Sequence, residues 1–280
     1  MNRVIACIIT FNPDIKRLER NIEAIKKQVE QIVIFDNASS NILEINKLLS
    51  EYAVTILEEC ENKGIAYGLN QCMEFARKND YEWVITLDQD SICPLDIIKK
   101  SYVFLKRKDI AMIVPVIRES NSGEMCLLGD RLNKDDFQEV KKCITSGAIT
   151  NVKVWEKVDG FDEGLFIDYV DYDFAMKVLL KKYKIIRMNK VLLDHQIGNS
   201  KYKNILGRKV RIANHSDFRK YYIARNMIIY IKRYWKNINA LKEIMRVIKV
   251  LLLIIFFESN KRNKISAFLR GIKDGLIYRG

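Results

Sequence analysis

Glu82-Trp83-Val84-Ile85-Thr86-Leu87-Asp88-Gln89-Asp90-Ser91 is the stretch from which the rest of the chain can be read. Its first half is an apolar run with β-branched residues, the pattern of a short buried strand that ends at Asp88. Its second half places two carboxylates two residues apart, just where that strand stops. Three more runs read as strands: 4–9, ended by Thr10-Phe11-Asn12-Pro13; 31–35, stopped by Asp36-Asn37-Ala38-Ser39-Ser40; and 54–57. Between them a helical period fits 14–28, with Ile15, Leu18, Ile22 and Ile25 on one face, and 64–79, with Leu69, Cys72, Met73 and Ala76. Short buried strands alternating with helices predict an α/β fold, a mostly parallel central sheet with helices on both faces. Ligands of such sheets sit beyond the carboxyl ends of the strands. Thr10-Phe11-Asn12, Asp36-Asn37 and Asp88-Gln89-Asp90 all fall at such ends, which predicts one composite site.

The chain has 280 residues, 49% apolar and 10% aromatic, with 3 Pro and 12 Gly. That supports a sizeable core and excludes a disordered or low-complexity chain. The six cysteines, at 7, 60, 72, 93, 126 and 143, show no C-x-x-C spacing and read as free thiols. With no leader-like stretch before Val4, the expectation is a cytoplasmic protein. Charge is unevenly placed. Residues 201–280 carry 20 Lys/Arg and 4 Asp/Glu, a balance that exceeds the whole chain's +13, so the first 200 residues are net negative. A basic face of this kind meets something anionic, phospholipid or nucleic acid. It does not span a bilayer: the longest uncharged apolar run in this region, 250–257, falls far short of the roughly 20 residues needed. The division expected is a catalytic domain over 1–200 and a basic amphipathic extension over 201–280, helical to its end. Apolar residues interleave with Lys/Arg over 241–257 and 261–279. Two readings fit: helices lying in an anionic membrane interface, or helices packing their apolar side on the domain.

Two Asp two residues apart at a strand end supply the hard oxygen ligands that Mg²⁺ or Mn²⁺ takes beside a phosphate, although a solvated acidic turn has the same pattern. Asp36 can accept the imide N–H of uracil or thymine, and equally can cap a helix over 40–51. In Asn62-Lys63-Gly64-Ile65-Ala66-Tyr67-Gly68-Leu69-Asn70 the glycines mark a turn and a helix start, where backbone approaches a bulky ligand. Asp168, Asp171 and Asp173 open a helix read over 174–182, either as catalytic carboxylates or as acids favoured by its dipole.

Taken in order, T-F-N, D-N-A-S-S, N-x-G-x-A-x-G-x-N, L-D-Q-D-S, S-G-A, G-x-F/D-E and Y-V-D-Y-D resemble family 2 of the inverting glycosyltransferases over about residues 3–182. Leu165-Phe166-Ile167-Asp168-Tyr169-Val170-Asp171, the segment from His215 through Arg219-Lys220-Tyr221-Tyr222-Ile223-Ala224-Arg225-Asn226, and Phe268-Leu269-Arg270-Gly271-Ile272-Lys273-Asp274-Gly275-Leu276 resemble its rhamnosyltransferase branch. The resemblance implies a Rossmann-like GT-A fold, metal dependence and transfer of L-rhamnose from dTDP-β-L-rhamnose to a glycan, lipid-linked, in synthesis of a bacterial surface polysaccharide such as O-antigen. Another UDP- or dTDP-sugar donor is the alternative within the class. By the same resemblance Thr10, Phe11 and Asn12 line the nucleotide pocket, Asp36 and Asn37 meet the base, and Gly64 and Asn70 border the sugar. Asp88 and Gln89 contact the nucleotide, Asp90 ligates Mg²⁺ or Mn²⁺ with Asp88, and His195 joins as third ligand or phosphate donor. Asp171 is the general base. The family's Glu-Asp pair is Val170-Asp171 here, which leaves Asp168 as a substitute. Arg219 and Arg225 are candidates to neutralise the diphosphate or members of a basic helix face. The expected location is cytoplasmic and peripheral on the inner face of the cell membrane. The alternative from another class, a nucleic-acid-binding protein, lacks any motif for it, and no nucleic-acid partner is expected.

Overall fold

The computed structural model describes residues 3–120, 123–128, 131–195, 201–205 and 208–279. By packing the chain divides into two units, Met1–Glu163 with Asp171–Gln196, and Gly164–Val170 with Ile197–Gly280.

In the first unit β1 (Val4–Thr10) is followed by α1 (Ile15–Ile25), whose N-cap Asp14 accepts from the Arg17 N–H at 2.8 Å. Then come β2 (Gln31–Asp36), α2 (Ile42–Leu49), β3 (Val54–Glu58), α3 (Ile65–Lys78), β4 (Trp83–Asp88), α4 (Ile97–Leu105) and β5 (Ile110–Glu119). Two short strands, β6 (Met125–Cys126) and β7 (Phe137–Glu139), precede β8 (Ala148–Asn151), α5 (Val152–Lys157), α6 (Val170–Leu180) and β9 (Lys184–His195). The sheet runs β3-β2-β1-β4-β8-β5-β9-β7, with β6 beside β5. β3, β2, β1 and β4 are parallel, β8 runs antiparallel between β4 and β5, and β5 and β9 are again parallel.

Every residue of β1 is buried, as its unbroken apolar run requires of a strand covered on both sides. Alternation then sorts the faces. Ala6 and Ile8 join Ile32, Ile34 and Ile85 in a core with Leu18 and Ile22 of α1, Ile45 of α2 and Ile97 of α4. Cys7 points the other way, toward α3, and is disulfide-bonded to Cys72. Two of the six thiols expected to be free are therefore paired; Cys60, Cys93, Cys126 and Cys143 remain free. Gly68 brings α3 so close to the sheet that a Cβ there would lie 2.8 Å from the Phe35 ring. The helices thus cover both faces, as the sequence predicts.

The second unit departs from the expectation of helix throughout. A hairpin, β10 (Lys201–Ile205) with β11 (Arg208–Ile212), precedes the helices. Val210 and Ile212 follow the two-residue period of a strand, not the helical one. Three helices follow: α7 (Asp217–Tyr234), α8 (Ala240–Phe257) and α9 (Lys261–Ile277). Ala224, Met227, Val247, Ile254 and Phe268 form their common core. α9 reaches α7 through small residues: a Cβ at Gly271 would lie 2.3 Å from the Tyr221 carbonyl oxygen, and one at Gly275 2.6 Å from that of Arg225. Beneath them Glu258 accepts from Lys220 Nζ at 2.5 Å and from Lys264 Nζ at 3.1 Å. Burial pushes the Lys220 ammonium below its ordinary pKa, against the opposing pull of Glu258. Among the described residues no helix is long and apolar enough to cross a membrane.

Candidate active site

Parallel register brings the predicted polar clusters to one edge of the sheet. Thr10 pairs with Asp36, and Ile9 with Asp88, so three strand ends stand side by side. Asp36 is 1% exposed and fully engaged: Thr10 Oγ1 and Ser39 Oγ donate to Oδ1 at 2.8 and 2.5 Å, and the Ser39 N–H to Oδ2 at 2.8 Å. α2 begins at Ile42 with Asn41 as its N-cap residue, so Asp36 closes the turn before the helix and does not cap it. Asn12, in the left-handed region at φ 51°, accepts the Ser40 N–H and hydroxyl at 2.8 and 2.7 Å. Phe11, half exposed, donates its N–H to Gln89 Oε1 at 2.7 Å, which ties the first strand end to the fourth. Asn37 accepts the Lys63 N–H at 2.9 Å and so joins the second strand end to the loop before α3. Gly64 is the N-cap residue of α3 at φ 86°, a conformation that glycine adopts without strain.

Asn70, expected to border the sugar, has its side chain held by residues between 155 and 163. Its amide nitrogen donates to the Phe161 carbonyl and to Glu163 Oε1 at 2.9 and 2.8 Å. Its oxygen accepts from Trp155 Nε1 at 3.0 Å and the Phe161 N–H at 2.9 Å. All its hydrogen-bonding groups thus bracket the 155–163 segment.

Asp88, Asp90 and His195 each offer a ligand atom, and these atoms lie within 4.8 Å of one another. His195 is distant in sequence, and β9 delivers it. The Ile92 N–H donates to the Asp194 carbonyl at 2.8 Å and the Asp194 N–H returns to Ile92 at 3.1 Å, stitching the strand end to the acidic loop. Arg118 holds the Asp194 carboxylate at 2.6 and 2.9 Å. The His195 ring then stands with Nδ1 2.9 Å from Ser91 Oγ and 3.3 Å from Asp90 Oδ1, and with Nε2 3.8 Å from Asp88 Oδ2. Burial disfavours the imidazolium, but the hydrogen bond with Asp90 and the fields of Asp88 and Asp90 outweigh it, so its pKa is raised above 6.5. Two carboxylates and one imidazole, partly exposed and converging, are a donor set that suits Mg²⁺ or Mn²⁺.

Three supports of this cluster escape the sequence reading. Ser146, 1% exposed, lies 2.6 Å from Ser91 Oγ and receives the Asp88 N–H at 3.3 Å. Arg17 Nε donates to the Asp90 carbonyl at 2.7 Å, and Asn21 Nδ2 to that of Asp88 at 2.8 Å. S-G-A is quoted among the motifs, but only the fold shows that its serine fixes the acidic loop.

The carboxylates near α6 separate into three environments. α6 begins at Val170, four residues earlier than the sequence suggests, so Asp171 and Asp173 lie in its first turn. Asp171 is partly buried and accepts the Tyr172 N–H at 2.9 Å. Asp173 is 1% exposed, with Lys177 Nζ 3.8 Å from its carboxylate. Asp168, in the second unit, receives both Nε and Nη2 of Arg219, at 2.9 and 3.0 Å. Arg225 donates to the Gly164 carbonyl and lies over the Tyr222 and Tyr278 rings. Asn226 closes the rhamnosyltransferase-like segment quoted from the sequence, but its role shows only in the fold. It is fully buried, and its amide nitrogen donates to the carbonyls of Leu165, Ile167 and Asp168 at 2.7, 2.8 and 2.9 Å. Phe166, Asp168 and Tyr169 in that loop have positive φ, which costs energy in a non-glycine residue and persists only where the surroundings hold it.

The family described as Glycosyl transferase family 2 matches residues 5–142. The chain therefore carries a family 2 glycosyltransferase domain and is a glycosyltransferase. It is 27% identical over 289 aligned positions to the dTDP-rhamnosyl transferase RfbF of Shigella flexneri, spanning 98% of this chain and 96% of that one. Among solved structures, S. aureus TarS 1-349 in complex with UDP-GlcNAc superposes with a TM-score of 0.63 at 14% identity, over 96% of this chain and 81% of that one. GalNAc-T7 with UDP, GalNAc and Mn²⁺ superposes with a TM-score of 0.63 at 13% identity, over 85% of this chain and 49% of that one. At such identities these two establish the GT-A fold alone.

Proposed function

We propose that the chain transfers L-rhamnose from dTDP-β-L-rhamnose, with inversion, to a lipid-linked glycan during assembly of a bacterial surface polysaccharide such as O-antigen, at the cytoplasmic face of the membrane. The observation that carries the transferase chemistry is the convergence of Asp88, Asp90 and His195 at the strand ends. The choice of donor is supported by likeness to a dTDP-rhamnosyl transferase along nearly the whole of both chains. Asp90, Asp88 and His195 would hold a divalent ion, which would supply charge neutralisation for a diphosphate leaving group. Thr10, Phe11 and Asn12 line the nucleotide. Asp36, fixed by Thr10 and Ser39, shapes the floor against which the base rests.

Asp171 takes the proton from the acceptor hydroxyl as that oxygen bonds to the anomeric carbon and the bond from carbon to diphosphate breaks. Asp168 is the weaker candidate because both its oxygens already accept from Arg219.

The test is a panel of dTDP- and UDP-sugars in a thermal-shift assay with and without Mn²⁺, followed by NMR of the product. Donor that binds only the native state raises the melting temperature by mass action. dTDP-rhamnose should give the largest metal-dependent shift and an α-linked product. Asp171→Asn should abolish turnover and keep that shift; full turnover by this variant would move the base elsewhere.

A further inference from the structure

α8 is apolar on two opposite sides. One side, with Val247 and Ile254, is buried with Met227, Ala224 and Phe268 in the core of the second unit. The other carries Leu241, Ile244, Met245, Ile248, Leu252 and Phe256, in three- and four-residue steps that keep them on one stripe. All six are exposed, from 43% for Ile248 to 70% for Leu241. A helix apolar all round is expected to be covered all round, and a continuous exposed stripe of this size marks a contact surface. α9 differs, because its small residues Gly271 and Gly275 are pressed against α7.

The surroundings of the stripe are cationic. Lys242 and Lys249 flank it in solvent, and Trp235, 60% exposed, with Lys236 precedes it. Glu243, the acid within α8, is buried and receives Arg246 at 2.8 Å, so it does not offset that charge at the surface. Apolar residues along one side, lysines at the margin and an indole at the end form the arrangement of a helix lying in a bilayer interface. There lysine stems extend along the apolar zone while their ammonium groups reach the headgroups. A second copy of the chain fits less well, since pairing the stripes would bring rows of like charge into one interface.

We propose that this outer face of α8 docks the chain on a membrane surface that contains anionic lipid. The inference stands apart from the identity of donor and acceptor, and its test measures binding without turnover. The full chain is floated with phosphatidylcholine vesicles, with and without phosphatidylglycerol, while tryptophan emission is recorded. Binding should require phosphatidylglycerol, weaken with salt and shift the Trp235 emission to the blue, a shift lost in Trp235→Phe. Ile248→Glu with Leu252→Glu, both at exposed positions, should weaken binding by at least about tenfold, since a carboxylate opposes entry into the interface. Leu43→Glu, on an exposed position of α2, should change nothing. If the double variant loses its helical signal, Lys242→Glu with Lys249→Glu serves instead, with a loss of at least about tenfold from the reversed headgroup attraction. Failure of the wild type to float, or flotation that survives the α8 variants, overturns the proposal. So does a dimer dissolved by those variants in a chain that never binds vesicles.

Discussion

Asp90 is one of three residues, with Asp88 and His195, that the proposed function assigns to a divalent ion. Asp90→Ala should weaken metal-dependent donor binding by at least about tenfold, read as a flattened melting-temperature response across a Mn²⁺ titration. An unchanged response would remove Asp90 from the metal site. Asn226 calls for a different experiment because its role is local geometry. Alanine there leaves the Leu165, Ile167 and Asp168 carbonyls without their buried donor in a loop that already holds three positive-φ residues. The expected loss is about 3 kcal/mol in urea unfolding, and a loss under about 1 kcal/mol would show that the loop keeps its shape unaided. The two residues also differ in legibility. Asp90 is readable because a carboxylate two residues from another at a strand end already suggests chemistry. Asn226 belongs to a family-like segment, but nothing in that segment tells its role until the loop it serves is placed beside it.

Helix and strand signals are legible where each element makes its own pattern. β1, β2, β3 and β4 each begin or end within a residue or two of the apolar run that predicts them, and α3 follows its Leu69, Cys72, Met73 and Ala76 stripe between Gly64 and Asn79. β8, four residues long, is too short to declare itself, and its antiparallel place between β4 and β5 comes from pairing partners distant in sequence. The hairpin of β10 and β11 is hidden by basic residues that also suit a helix. At the contact between α7 and α9 the deciding feature is the lack of a side chain. Gly271→Ala would set a Cβ 2.3 Å from a backbone oxygen, so the helices must separate. The expected cost is about 1–3 kcal/mol, seen as a lowered melting temperature, and an unchanged one would mean that this approach is not needed.

For the molecule as a whole, protection should follow burial. β1 is buried at all seven positions, whereas only Glu243, Val247 and Ile254 of the eighteen residues of α8 are buried. Amide hydrogen exchange of the isolated chain should be slowest in β1, β2 and β4 and faster in α8. Equal protection in α8 and β1 would point to a partner already covering the helix. The sequence by itself determined the alternation of strands and helices and the polar strand ends, because hydrophobic period and turn chemistry are local properties. It also carried the ordered motifs of a family 2 transferase and the basic character of the last eighty residues. The family resemblance already named His195 beside Asp88 and Asp90; tertiary structure alone decided that Ser146 holds the acidic loop and that Cys7 bonds Cys72. It alone decided, too, that Arg219 embraces Asp168 and that one apolar side of α8 is left in solvent. Each of these depends on which distant segments pack together, and packing is a property of the folded chain that no local window contains.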